Sequence, residues 1–78
     1  MIRKRSVNLR GHATSISIED AFWDELKRMA SESGRSLGSL IETVDSERVG
    51  ENLSSALRLR VLADLKEQLA LRSRPSEP

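Results

Sequence analysis

The sequence predicts a mainly α fold with one ribbon strand, completed by homodimerisation. Three observations carry this. Residues 13–18 alternate with period two, helical periodicity takes over from residue 19 onward, and the chain has only 78 residues, 37% hydrophobic and 32% charged. A domain of about 60 residues buries only roughly 60% of its unfolded surface, so a second copy is a natural way to complete so small a core.

Ala13-Thr14-Ser15-Ile16-Ser17-Ile18 places Thr14, Ile16 and Ile18 on one face and Ala13, Ser15 and Ser17 on the other, the pattern of a strand with one buried face. Its peptide groups need partners, and the same strand of a second chain, antiparallel across a two-fold axis, would supply them. Upstream, Ser6 to Arg10 also alternates and is followed by Gly11, which tolerates positive φ, so a second short strand is compatible with the pattern.

From Glu19 the period becomes helical. Phe22, Trp23, Leu26, Met29 and Ala30 form one stripe of a first helix spanning about residues 20–33, with acidic Glu19 and Asp20 at its positive end and Gly34 as a left-handed terminator. Asp24 is placed to pair with Arg28 at i,i+4. Ser36 caps a second helix with Leu37, Leu40, Ile41 and Val44 at i, i+3, i+4 and i+7. Asp45 to Glu51 reads as a loop or a weak helical extension. Asn52 caps a third helix, in which Leu53, Leu57, Val61, Leu65 and Leu69 form an i+4 row that drifts by about 40° per step. Leu59 and Leu62 fall outside that row, so the helix is apolar on more than one side and is expected to be covered by the partner chain as well as by its own domain. The organisation predicted is a basic arm at 1–12, a domain at 13–71 and a flexible tail at 72–78.

Composition excludes several classes. With no cysteine there is no disulfide framework, thiolate metal site or cysteine nucleophile, and the single histidine, His12, has no second histidine to share a metal. No nucleophile-base set or phosphate-loop motif occurs, so neither an enzyme nor a cofactor is expected. No apolar run reaches the length of a membrane span, and Met1 to Arg10 lacks an apolar core behind its basic residues, which predicts a cytoplasmic protein with no membrane partner.

The charges are segregated. Residues 1–12 hold Arg3, Lys4, Arg5 and Arg10 without an acid; residues 13–51 hold four basic side chains against nine acidic, and residues 52–78 five against three. A basic arm before an acidic body suits a polyanion, most often nucleic acid.

The residues Ser15-Ile16-Ser17-Ile18 running into the Phe22/Leu26/Met29 helix, then Gly34-Arg35-Ser36-Leu37-Gly38-Ser39, resemble the ribbon-helix-helix superfamily of Arc and MetJ type repressors. Gly11-His12, Thr14 to Glu19, Ala21-Phe22-Trp23-Asp24 and Asn52 to Arg58 are similar in particular to a group of short bacterial proteins within it, and extend the resemblance over about residues 5–65. The fold implied is ribbon-helix-helix with an added C-terminal helix. The resemblance implies a DNA-binding homodimer, a transcriptional regulator whose two-stranded ribbon enters the major groove.

A ribbon displays every second residue to base edges, here Ala13, Ser15 and Ser17. Family readers commonly carry stronger hydrogen-bonding side chains there, so Asn8 and Arg10 compete as readers, with Arg3, Lys4, Arg5 and His12 as phosphate contacts from the arm. Ser36, Gly38 and Ser39 open the second helix, whose free N–H groups suit a phosphate. Ile16, Ile18, Phe22, Leu26, Leu40 and Ile41 are the expected dimer core. The alternative is a protein-interaction dimer, antitoxin-like or a scaffold, that keeps the fold without sequence-specific reading and binds another protein through helix 52–71; a higher oligomer is compatible with either.

Overall fold

The computed structural model describes residues 1–73 as β1 (Ile2–Leu9), β2 (His12–Glu19), α1 (Asp20–Glu32), α2 (Leu37–Glu47) and α3 (Leu53–Ser73). Arg72 and Ser73 still belong to α3, and the rest of the expected tail, 74–78, lies outside the described residues.

The expected lone strand has a partner in its own chain. β1 and β2 form an antiparallel hairpin with Leu9 opposite His12 and Ile2 opposite Glu19. Its two-residue turn, Arg10-Gly11, has φ of 52° and 82°, the doubly positive geometry that matches strand twist. Arg10 is held there from α2: its N–H donates to Glu42 Oε2 at 2.8 Å, and its guanidinium reaches Asp45 Oδ2 at 3.3 Å. β1 starts at Ile2, four residues earlier than the alternation at 6–10 indicates. Arg3 and Arg5 occupy inward positions there, so ion pairs stand where an apolar pattern would otherwise mark the strand.

A two-residue turn makes Leu9 and His12 a hydrogen-bonded pair. By alternation the bonded pairs continue through Val7–Thr14, Arg5–Ile16 and Arg3–Ile18, and in the same phase Asp20 N–H donates to the Met1 carbonyl at 3.2 Å. The peptide groups of Ala13, Ser15 and Ser17 therefore point away from β1. Among the described residues no other element bonds to them through its backbone, so the outer edge of β2 is open.

The helices end where their local chemistry dictates. At the end of α1, Gly34 (φ 69°) donates to Ser31 O and Arg35 N–H to Ala30 O, satisfying the carbonyls of the last turn. Ser36 Oγ accepts from Ser39 N–H at 3.1 Å to start α2, and Asn52 Oδ1 from Ser55 N–H at 2.8 Å to start α3. α2 continues to Glu47, so the first three residues of the segment expected as a loop or a weak helical extension, Asp45 to Glu47, are helical.

The hairpin lies across the helices, β1 on α2 and β2 on α1 and α3. Leu9, Ile16 and Ile18 from the hairpin meet Leu26, Met29 and Ala30 of α1, Leu40, Ile41 and Val44 of α2, and Ala56, Leu57 and Val61 of α3. Each large aliphatic side chain so buried contributes about 1.5–3 kcal/mol. Five of the six expected dimer-core residues are thus already buried within one chain, and Phe22 is half-buried against them. The drift of the α3 row has its consequence here: Leu57 and Val61 are inside, while Leu65 and Leu69 have turned to the surface with Leu59, Leu62 and Leu71.

Arg28 does not pair with Asp24 as its spacing indicates. Its guanidinium bonds Glu25, Glu32 and, at 2.6 Å, Asp64 of α3, while Asp24 lies near Lys27. Asp64, 36 residues away, draws Arg28 toward α3.

Candidate nucleic-acid interface

Residues opposite each other in an antiparallel pair share a face. The pairs Asn8–Ala13, Ser6–Ser15 and Lys4–Ser17 therefore place all six side chains on one side of the hairpin, and all six are exposed. The other side holds Leu9, Val7, Arg5 and Arg3 opposite His12, Thr14, Ile16 and Ile18. The outward face is polar apart from Ala13, with Lys4 as its one cation among these six residues.

This divides the basic arm. Arg3 Nε lies 3.3 Å from Asp20 Oδ2, and Arg5 donates to Asp20 Oδ1 at 3.0 Å with its guanidinium carbon 5.1 Å from the centre of the Trp23 ring. Such a cation over an indole face is attracted by the ring quadrupole. Arg5 Nε is buried without a hydrogen-bond partner among the described residues. Arg10 is turned to α2. Lys4 alone of the four has no ion-pair partner among the described residues. Asn8 shares the face of Ser15 and Ser17, whereas Arg10 does not, so the two residues that compete as readers in the sequence are separated by the fold. His12 is exposed at the hairpin turn, on the side of Thr14.

At the start of α2, Leu40 N–H bonds Ser36 O and Ser39 N–H bonds Ser36 Oγ, leaving the N–H groups of Leu37 and Gly38 without partners among the described residues. No described residue comes within 4 Å of the position a Cβ on Gly38 would take, so among the described residues the backbone there is open. Arg35 folds over this turn, donating to Ser39 Oγ and O and to Thr43 Oγ1, and no acid occupies the first turn. Arg35 is a positive group that sequence reasoning passed over; its i,i+4 spacing to Ser39 was the available signal. Ser6 was also passed over, although a two-residue turn at Arg10-Gly11 dictates its place opposite Ser15.

Two carboxylates beside this surface are held low. The hydrogen bond from Arg58 keeps Glu19 below its ordinary pKa, and that from Arg48, with Arg10 nearby, does the same for Asp45. No described helix is long and apolar enough to cross a membrane.

No curated protein and no solved structure matches the chain. A family model does: that of the ribbon-helix-helix domain, over residues 2–65. The match spans both strands, α1, α2 and the buried half of α3, and domains of this kind are in general DNA-binding regulators without enzymatic activity. With β2, α1, the Gly34 turn and α2 in ribbon-helix-helix order and the family model covering residues 2–65, the chain belongs to the ribbon-helix-helix domain family.

Proposed function

We propose that the protein is a homodimeric transcriptional regulator that binds DNA by pairing β2 with β2 of a second copy and setting the joined ribbon against the major groove. The observation that carries this reading is the open outer edge of β2, where the peptide groups of Ala13, Ser15 and Ser17 point outward beside an exposed polar face. Antiparallel pairing across a two-fold axis satisfies that edge with the same residues of the partner. The ribbon face then reads bases through Ser15 and Ser17, and the open start of α2, with Ser36, Gly38, Ser39 and Arg35, accepts a phosphate. Such a role goes with a cytoplasmic location. Light scattering and selection from a random DNA pool test it together: a dimer with an enriched site is expected, and a stable monomer, or a dimer that enriches no site, overturns it.

A second reading, an interaction dimer that binds another protein through α3, is favoured by one observation: Leu59, Leu62, Leu65, Leu69 and Leu71 are all exposed on that helix. A stoichiometric protein co-purifying with the tagged chain, lost with Leu65→Glu and Leu69→Glu, would support it; recovery of DNA alone would reject it.

A further inference from the structure

We infer that β1 is a phosphate-contacting flank of the interface and not part of its base-reading ribbon, with Lys4 and Asn8 as its contacts. The inference rests on the DNA-binding dimer proposed above and concerns a strand that the lone-ribbon picture does not contain. Pairing through the outer edge of β2 makes a four-stranded sheet in the order β1, β2, β2, β1. Neighbouring strands lie about 4.8 Å apart, so the axes of the two outer strands are about 14 Å apart before any side chain is added. The major groove is about 12 Å wide. Two central strands fit within it; the outer two meet its sugar-phosphate walls.

The chemistry of β1 matches that position. Its outward residues Lys4, Ser6 and Asn8 all offer hydrogen-bond donors, and a phosphate is an acceptor. Lys4 is exposed and has no ion-pair partner among the described residues, whereas Arg3 and Arg5 on the opposite side of the strand are bound to Asp20. The strand thus turns two cations inward to fasten itself to α1 and leaves one facing outward. On β2 the outward set is Ala13, Ser15 and Ser17, small side chains that bring the backbone close to the groove floor.

The test uses the full chain on its selected DNA site, with binding measured by fluorescence anisotropy over a salt series and site selection repeated for each variant. Lys4→Gln is expected to weaken the selected site and its single-base variants by the same factor, to lower the slope of log K against log salt by about two per dimer, one for each chain, and to leave the enriched motif unchanged. Asn8→Ala is expected to weaken all sequences alike, again with the motif unchanged. Replacing the phosphates that flank the groove by methylphosphonates should weaken the wild type, and weaken Lys4→Gln less. A changed motif in either variant, or a loss confined to one base pair, would overturn the inference and make the hairpin of a single chain the reading ribbon. Failure of the wild type to bind DNA at all is a separate result, which removes the function as well.

Discussion

Arg58 Nε donates to the carboxylate of Glu19 at 2.7 Å, tying the second turn of α3 to the junction of β2 and α1 across 39 residues of chain. The bond favours ionised Glu19 and lowers its pKa in the folded protein, with a bond to its own backbone acting in the same direction and desolvation opposing both. A carboxylate whose folded pKa is depressed contributes stability above its unfolded pKa and loses it as pH falls through the folded one. Stability is therefore expected to hold at neutral pH and to fall once the pH drops below the ordinary carboxylate range, with Asp45 adding the same sign through Arg48 and Arg10. Thermal melts of wild type and Glu19→Gln across that range check it: the deficit of the variant should shrink in acid, and a constant deficit would show that its charge is not involved.

Ile16→Ser should abolish cooperative folding. Ile16 is 2% exposed at the centre of the hairpin's inward face. Truncating a core aliphatic costs about 2–5 kcal/mol, and an unpaired hydroxyl in the same place adds to that. Ser17→Ala, one residue on and facing outward, serves as the control and should melt within about 0.5 kcal/mol of wild type. Equal melting of the two variants would mean that the strand is shifted by one residue.

At Gly11 the loss comes from backbone conformation alone. The residue has φ of 82°, and no described atom lies within 4 Å of where a Cβ would stand, so Gly11→Ala meets no neighbour among the described residues yet must hold a left-handed conformation, at about 1–2 kcal/mol. Urea unfolding should show that loss with an unchanged m-value. A larger loss with a lower m-value would indicate that the hairpin has come apart.

Arg28 gathers Glu25, Glu32 and Asp64 and is only 26% exposed. Arg28→Met keeps the aliphatic stem and removes the charge that joins α1 to α3. The expected loss is about 1 kcal/mol, the upper end for ion pairs with partial solvent access, with amide exchange faster in the α3 turns around Asp64 than in α2. Uniform acceleration throughout the chain would place the effect on global stability instead.

Much of this protein is determined within short stretches of its sequence. Ser36 and Asn52 cap α2 and α3, Gly34 ends α1, and the alternation at 13–18 sets which residues of β2 face inward. These are local matters, decided by side chains bonding backbone three or four residues away and by a period that needs no distant partner. The order of those elements also suffices for the family. Tertiary structure alone decided where the arm's charges go. Arg3 and Arg5 stand in inward positions that an apolar pattern would have marked, and they are tolerated there because Asp20 and Trp23 meet them from α1. Arg28 leaves Asp24 for Asp64, and Glu19 reaches Arg58 instead of its own helix end. An ion pair between distant residues leaves no period in the sequence, since any acid of suitable reach is an equal candidate until the chain is folded. For the same reason the basic arm looks uniform in sequence, while in the fold only Lys4 of its four cations shares an outward face with Ser15 and Ser17.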